Sequence, residues 1–377
     1  MIKYITMATK NRVVFITWKD IRNPYSGGSE SVIQEISKRY IADGFEVLHL
    51  VPGFKGSQPS EIIDGIKVIR LGRSAFSFFF LPIYYLFKLK QEGDILIDEF
   101  NCFSNFSFLC GNRTRTYILL FHVQGEIWKF QKTFPFVFPL NYIGAFLEKL
   151  QLIFISKIFS GKVITISNST KNELLSLGFS KEKIEIIPLG TDIEPVKLLD
   201  MTAKNQVFTV ISVGLLRKMK RVEETVQAFE IFHNIYPDSK LIIVGNGDQY
   251  NEIKSYIIMR KLEGCIELKG YISKEEKKEI MMKAHVLVVT SVKEGWGLIV
   301  TEANSQGTPA ITYNVPGLCD SNKVGILNKE NTPQAVADEL AKLYNDRALL
   351  ERMSIAALED SRQYSYDQTY NRWNSRL

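Results

Sequence analysis

Two glutamates bracket a glycine loop in the second half of the chain. Glu294 stands before Gly295 and Gly297, and Glu302 follows on a segment with helical spacing. The apolar run 285–290 precedes them and predicts a buried parallel strand. A strand, a glycine loop and a helix N-terminus bind phosphate, because N–H groups converge there and the helix dipole favours an anion. The two acids could then meet hydroxyls on either side of a bound diphosphate, as in a nucleotide-sugar. Two glutamates at this spacing also occur on solvated helix faces.

A cluster of cations follows another glycine turn, at Gly214. Arg217, Lys218, Lys220 and Arg221 place four positive charges within five positions. Cations beside a phosphate make strong charge-assisted hydrogen bonds, so this loop could clamp a diphosphate. The alternative is a basic loop that faces solvent.

The first half has its own glycine loop, which follows the predicted strand Val13–Trp18. This loop contains Gly28, Ser29 and Glu30 and opens a segment with helical spacing. Glycine permits positive φ and lets backbone amides approach an anion closely, which makes Gly28 a candidate. A pair of glycines is more commonly a simple turn.

Polar residues follow two further predicted strands. His122 comes directly after Tyr117–Phe121, and Glu99 and Asn101 follow Ile95–Ile97. Ligands of open α/β sheets bind at the carboxyl ends of the strands, so we expect these side chains on the rim of one site. A single histidine at a strand end is also a common structural residue.

The segment Glu294–Glu302 resembles the E-x7-E region of the retaining glycosyltransferases of family 4. The resemblance covers nearly the whole chain and is strongest from about Ser212 to Ser321. It implies an α/β protein of the GT-B fold, with two facing Rossmann-like domains, parallel sheets and a last helix that crosses back to the first domain. It also implies transfer of a sugar from a nucleotide-diphosphate-sugar with retention of the anomeric configuration.

The resemblance assigns roles to matching residues. Glu294 would meet hydroxyls of the transferred sugar, His122 would lie near that sugar, and Glu302 would meet the ribose. Tyr271 lies in the loop that holds the base mostly through its backbone. That contact does not distinguish a UDP-linked donor from a GDP-linked donor. The catalytic set is His122, Lys220 and Glu294. The donor-binding set is Gly28, Arg217, Lys220, Tyr271, Glu294, Gly297, Leu298, Ile299 and Glu302.

One position departs from the family pattern. Leu215 stands where the family has an arginine, whereas Lys220 matches the family's lysine. Either Arg217 replaces the missing arginine, or the leaving group is held less tightly.

The acceptor is expected on the first domain. Candidates that would face it are Glu30, Glu99, Asn101, Glu126 and Trp128. We expect this acceptor to be a glycan, membrane-bound or lipid-linked.

The reaction is expected to need neither metal nor cofactor. The chain has no D-x-D segment, and its four histidines and four cysteines lack metal-ligand spacing. Cationic side chains would stabilise the departing diphosphate instead. The donor phosphate oxygen would accept the acceptor proton in a same-face attack, and the nucleotide-sugar is a substrate rather than a cofactor.

Strands and helices alternate in both halves, which predicts parallel sheets covered by helices. The predicted linker has prolines, a glycine and no hydrophobic period, and is the expected hinge. The predicted units are a first domain at 1–188, a linker at 189–206, a second domain at 207–350 and returning C-terminal helices at 351–377.

The positive charge is concentrated in the first half. Residues 1–190 hold 23 Lys and Arg against 16 Asp and Glu, whereas residues 191–377 hold 24 against 25. A basic half suggests nucleic acid or an anionic membrane surface as partner. The aromatic residues stand in apolar blocks rather than between cations, which argues against nucleic acid.

Two uncharged aromatic runs, Ser74–Phe87 and Thr133–Leu147, are flanked by lysines. Both are shorter than the roughly 20 apolar residues of a membrane span. They fit interfacial segments on anionic lipid or core helices of the first domain. With no signal peptide and no C-x-x-C spacing, we expect a cytoplasmic protein, peripheral on the inner face of the cell membrane.

Two other functions stay open. One is a sugar-nucleotide epimerase of related two-domain fold, which needs no acceptor. The other is a catalytically silent protein that binds sugar or lipid. Leu215 is compatible with this alternative, because the family has an arginine at that position.

Overall fold

The computed structural model describes residues 11–130 and 140–376, which form two α/β domains. The sheet of the first domain has the strand order β3-β4-β2-β1-β5-β6-β7-β8. Its strands are Arg12–Ile16 (β1), Glu46–Pro52 (β2), Ser60–Ile63 (β3), Ile66–Leu71 (β4), Ile95–Glu99 (β5), Thr116–Leu120 (β6), Lys162–Thr165 (β7) and Ile184–Ile186 (β8).

Neighbouring strands of this sheet are parallel except at one edge, where β3 pairs antiparallel with β4. Only Asp64 and Gly65 join these two strands, and both have positive φ, at 52° and 81°. Two such residues form a hairpin turn, whereas parallel strands need a long crossover.

The helices of the first domain cover both faces of its sheet. They are Gly28–Ala42 (α1), Leu81–Tyr84 (α2), Leu140–Ile158 (α3) and Asn168–Ser176 (α4). Side chains alternate along each strand, so Val13 and Phe15 of β1 pack with α1, whereas Val14 and Ile16 pack with Leu81 of α2.

The second domain has a six-stranded parallel sheet in the order β11-β10-β9-β12-β13-β14. Its strands are Phe208–Val213 (β9), Ser239–Val244 (β10), Ile266–Gly270 (β11), Val286–Val289 (β12), Ala310–Thr312 (β13) and Ile326–Leu327 (β14). Its helices are Val222–Ile235 (α5), Tyr250–Met259 (α6), Lys274–Lys283 (α7), Leu298–Ser305 (α8), Leu318–Ser321 (α9), Pro333–Asn345 (α10) and Arg347–Ser361 (α11).

The last helix, Tyr366–Asn374 (α12), returns to the first domain. Tyr370 donates its hydroxyl to Asp43 at 2.6 Å, and Arg39 pairs with Asp367 at 2.7 Å. The crossing begins later than the predicted residue 351, because α11 still packs on α8 of the second domain.

The segment that joins the two sheets is packed rather than free. Leu189 and Ile193 are buried, and Thr191 N–H donates to Tyr364 O at 2.9 Å. Lys204 is also buried and donates to Gly307 O and Thr308 Oγ1. The predicted hinge is therefore held against the second domain and the C-terminal crossing.

The two aromatic runs have mixed surroundings. In the first run Phe78, Leu81 and Tyr85 are buried, whereas Phe76 and Phe87 are exposed. The second run lies in part outside the described residues, which resume at Leu140 with the start of α3. None of the helices in the described ranges has the length and hydrophobicity that a membrane span requires.

Candidate functional site

A cleft of about 820 Å³ opens between the two domains, at the carboxyl ends of the central strands of both sheets. Most of the candidate residues line it, although they come from distant parts of the chain. The lining candidates are Gly28, Glu30, His122, Arg217, Lys220, Tyr271, Glu294, Gly297, Leu298, Ile299 and Glu302.

Two helix N-termini face each other across this cleft. Helix α1 begins at Gly28 in the first domain, and α8 begins at Leu298 in the second. A β-carbon placed on Gly28 would lie 3.5 Å from Leu298 Cδ1, so the two ends are in contact range. The first N–H groups of a helix have no intrahelical acceptor, and the dipole makes both ends positive. Two such N-termini on facing walls are an arrangement that suits an anion, and we call the space between them the anion position.

Backbone geometry explains the glycine before α8. Gly297 caps this helix with φ of +86°, in the left-handed region that favours glycine. Its hydrogen atom also leaves space for Leu318 and Ser321, whose side-chain atoms would lie 2.8 Å and 3.0 Å from a β-carbon.

Lys220 and Glu294 form an ion pair on one side of the anion position. Lys220 lies in the short 3-10 turn after β9, and its Nζ is 2.5 Å from Glu294 Oε1. Ser291 donates its hydroxyl to the same carboxylate oxygen at 2.6 Å. Arg217 is exposed at the start of this turn, and Leu215 is 48% exposed in the cleft wall. The pair puts a cation and a hydrogen-bond acceptor side by side.

Glu302 lies at the other end of the cleft and is 9% exposed. Burial raises the pKa of this carboxyl, and Lys277 of α7 opposes the shift from 2.9 Å. Lys277 is not among the residues predicted from the sequence, because its neighbours in α7 are charged and resemble a solvated helix face. A second ion pair, Lys274 with Asp192 at 3.0 Å, lies beside it.

His122 lies half-buried in the cleft beside the Lys220–Glu294 pair. Burial, reinforced by the charge of Lys293, lowers its pKa to about 4. The imidazole is therefore neutral near pH 7 and can donate one hydrogen bond and accept another.

Glu30 both lines the cleft and holds the start of α1. Its Oε2 accepts the Gly27 N–H at 2.7 Å, and Lys19 Nζ lies 3.5 Å from its Oε1. Lys19 also lines the cleft and was not among the sequence candidates.

Four candidates for the acceptor side do not line the cleft. Trp128 is 1% exposed and donates its indole N–H to Glu148, because α3 packs over it. Glu126 is exposed and pairs with Lys129 at 3.6 Å, and Asn101 accepts a hydrogen bond from Gln124 at 3.1 Å. Glu99 is fully buried beneath the rim. These positions do not support direct contact with an acceptor.

We expect Glu99 to make the protein less stable as pH rises. Burial, and next the charge of Glu30, raise the pKa of Glu99 in the folded state. The folded state then holds a proton that the unfolded state has lost, so stability falls from about pH 5 to about pH 8. Glu99→Gln should reduce the slope of the unfolding free energy against pH by up to about 1.4 kcal/mol per pH unit, measured by urea unfolding at several pH values.

Glu126→Gln is the matched control, because Glu126 is exposed. Its pH dependence of unfolding should equal that of the wild type. An unchanged slope in Glu99→Gln would contradict the raised pKa.

The domains touch through contacts that exclude larger side chains. A β-carbon on Gly295 would lie 3.0 Å from Phe121 O and 3.3 Å from His122 Nδ1. Nearby, the buried Lys293 pairs with Glu173 of α4, and Asp320 accepts the Asn168 N–H at the start of that helix at 2.9 Å. These contacts join the two domains beside the cleft.

We expect Gly295→Ala to push the domains apart by a few tenths of an ångström. Because His122 and Glu294 would separate, kcat/KM should fall about 10-fold. Steady-state kinetics would measure this effect. The control is Gly264→Ala, where nothing lies within 4 Å of the added carbon. Equal kinetics of the two variants would show that closure does not depend on Gly295.

Residues 11–130 and 140–376 contain no group of three or more His, Cys, Asp or Glu side chains that could hold a metal ion. Positively charged side chains line the cleft, and Arg217, Lys220 and Lys277 are among them.

Two family models match the chain. One described as Glycosyl transferases group 1 matches residues 200–360, and one described as Glycosyltransferase Family 4 matches residues 26–195. Each model covers one of the two domains, so together they account for most of the chain.

Curated relatives are about a quarter identical to this chain over the residues that align. The capsular polysaccharide biosynthesis glycosyltransferase CapM of Staphylococcus aureus is 26% identical, over 53% of this chain and 53% of that protein. The Escherichia coli UDP-Gal:alpha-D-GlcNAc-diphosphoundecaprenol alpha-1,3-galactosyltransferase is 28% identical, over 51% and 54%. The chain spans about half the length of the curated relatives it matches.

Solved structures share the fold along the full length. Sucrose-phosphate synthase from Thermosynechococcus elongatus has a TM-score of 0.76 at 18% identity, covering 97% of this chain and 98% of that one. HepE of Anabaena, in complex with UDP and glucose, has a TM-score of 0.71 at 16% identity, covering 97% and 98%. Identities this low show the two-domain architecture alone.

Proposed function

This chain belongs to glycosyltransferase family 4 and has the GT-B fold, and on that basis we propose that it transfers a sugar from a nucleoside-diphosphate-sugar to a hydroxyl of a glycan or lipid-linked acceptor. The observation that carries the proposal is the pair of helix N-termini, α1 and α8, that face each other beside Lys220. That arrangement suits a diphosphate better than a neutral ligand.

The donor would lie along the cleft with its diphosphate between these helix ends. Glu294 would accept hydrogen bonds from hydroxyls of the transferred sugar, and the neutral His122 would bond another hydroxyl. Glu302 would meet the ribose at the other end, where Lys277 now occupies its carboxylate. Tyr271, which is 89% exposed at the cleft, would lie beside the base.

The reaction would break the bond between the anomeric carbon and the phosphate oxygen and form a bond to the acceptor oxygen. The leaving diphosphate gains negative charge in the transition state, and its phosphate oxygen would take the acceptor proton. Lys220, Arg217 and the N-terminus of α8, which line the cleft, would stabilise that charge. Attack on the face that the leaving group departs from would retain the anomeric configuration.

The cations of this site support metal-independent transfer. Lys220 and Arg217 supply the positive charge that a divalent ion supplies in other transferases. Arg217 would also take over the role of the arginine that Leu215 replaces. We therefore expect EDTA to leave the rate of transfer unchanged, measured by release of nucleoside diphosphate. A rate restored only by added Mg²⁺ or Mn²⁺ would contradict this expectation.

A panel of UDP- and GDP-sugars tests the function. Thermal-shift measurements should show stabilisation by one nucleoside diphosphate, since a ligand of the folded state raises its apparent stability. NMR of the same mixtures with candidate glycan acceptors should show a new glycosidic bond with the anomeric configuration of the donor. Turnover of the nucleotide-sugar into its epimer without an acceptor would favour an epimerase. Binding without any release of nucleoside diphosphate would favour a silent homologue.

A further inference from the structure

One surface of the first domain exposes an unusual amount of apolar area. We call it the outer apolar surface and define it by the exposed apolar side chains of residues 76–87 and 142–158. It comprises thirteen large side chains that are each at least 37% exposed, with Phe87 at 75% and Phe146 at 59%. Half-exposed side chains of this size add up to an area on the order of 1,000 Å². Monomeric proteins rarely expose contiguous apolar patches above a few hundred Å².

The two segments lie on the same face of the sheet. Leu96 of β5 packs with Phe78, Leu81 and Tyr85 of the first segment. In the strand register Leu96 pairs with Thr116, and Ile118 of β6 therefore faces the same side, where it packs with Leu152 and Ile155 of α3. The loop between β5 and β6 joins them, since Asn105 donates to Phe78 O at 2.9 Å and Ser104 N–H donates to Gln151 of α3 at 3.0 Å.

The charges on this surface have one sign. Residues 73–90 and 140–158 carry five exposed cations, and their single acid, Glu148, is buried and hydrogen-bonded to Trp128. The cations are Arg73, Lys88, Lys90, Lys149 and Lys157. A symmetric dimer through this surface would bring like charges together, because both copies present the same patch. An anionic lipid surface instead offers acyl chains to the aromatic rings and negative headgroups to the lysines.

This surface adjoins the first-domain wall of the cleft on both sides. Trp18 stacks on Phe78 with ring centroids 3.9 Å apart, and the next residue, Lys19, lines the cleft. At the other end Gln124 lines the cleft, and its N–H donates to Glu148 of α3 at 2.8 Å.

We propose that the outer apolar surface docks on an anionic lipid bilayer and holds the first-domain mouth of the cleft at the headgroup layer. The helices lie on the membrane rather than cross it. The hydroxyl of a lipid-linked acceptor then enters the cleft from the membrane side. That last step rests on the proposed glycosyl transfer, whereas the docking does not.

Vesicle flotation of the full chain tests the docking. The wild type should bind vesicles of phosphatidylcholine with phosphatidylglycerol, should bind phosphatidylcholine alone weakly, and should be released by high salt. Phe146→Glu combined with Leu150→Glu should lower binding at least about 10-fold, because both side chains would leave the apolar layer and repel the lipid. The matched control is Ile258→Glu with Met259→Glu, two exposed apolar residues of α6 in the second domain, which should bind as the wild type does.

Two further measurements separate the possible failures. Circular dichroism and the thermal shift with nucleoside diphosphate should be the same in both double variants and the wild type, which shows that fold and cleft are intact. Absence of wild-type binding to anionic vesicles, or equal losses in the two double variants, would overturn the docking. A concentration-dependent dimer in sedimentation equilibrium that Phe146→Glu dissolves would also overturn it and assign the surface to a second copy. Vesicle binding without any nucleotide effect would leave the docking in place and reject the glycosyl transfer.

Discussion

Replacing Lys220 by alanine is expected to lower kcat about 100-fold to 1,000-fold, the loss seen when one preorganised charge-stabilising donor is removed from an active site. Lys220 Nζ lies beside Glu294 at the cleft wall and would contact the departing diphosphate. That interaction strengthens as the glycosidic bond breaks, so the loss should appear in kcat rather than in KM. Release of nucleoside diphosphate at saturating donor would measure it.

Lys218→Ala is the control for this variant. Lys218 lies in the same 3-10 turn and is exposed, but it does not line the cleft. Its removal should change kcat by no more than about twofold, since an exposed surface charge contributes little. A Lys220→Ala enzyme that retained the wild-type rate would remove Lys220 from the reaction and weaken the metal-independent mechanism.

Replacing Glu294 by glutamine is expected to lower kcat/KM on the order of 100-fold, because hydrogen bonds to charged groups are the strong ones. The substitution keeps the shape of the side chain and removes the charge that holds Lys220 and would accept the sugar hydroxyls. Free nucleoside diphosphate has no transferred sugar, so its thermal shift should stay at the wild-type value. Steady-state kinetics and thermal shift on the same preparation give both readings.

Glu302→Gln provides the contrast. Glu302 lies at the far end of the cleft, where the ribose would bind, and the variant should weaken binding of both nucleoside diphosphate and nucleotide-sugar about 10-fold. If Glu294→Gln weakened binding of free nucleoside diphosphate as much as Glu302→Gln does, the assignment of one acid to the sugar and the other to the ribose would be wrong.

Elements with strong local signals were predicted from the sequence closely. The sequence of residues 167–177 predicts a capped helix that ends at Gly178, and the observed helix is Asn168–Ser176, with Ser167 accepting the Thr170 N–H as its cap. The sequence Ile66–Leu71 likewise predicts a strand, and β4 has the same bounds. Hydrophobic period, caps and breakers act within one or two turns of chain, so the sequence alone carries them.

Short strands that form only through pairing with a neighbouring strand were missed. The short edge strand Ser60–Ile63 is stabilised by its hairpin with β4 and has little hydrophobic pattern of its own. The strand Ile184–Ile186 has only three residues and exists through pairing with β7. Trp128 was expected to face an acceptor, yet α3 covers it, because an indole beside a polar rim can equally be buried by a later helix.

The sequence by itself determined which residues form the glycine loops, the basic turn and the two acids, because each of these is a local pattern of residue types. Only the tertiary structure decided that the N-termini of α1 and α8 meet, that Lys220 pairs with Glu294 and Lys277 with Glu302, and that burial keeps His122 neutral. The approach of α1 to α8 and the surroundings of His122 arise from the packing of the two domains against each other, whereas both ion pairs form within the second domain. In both cases tertiary packing joins residues that lie far apart in sequence, and no local pattern records it.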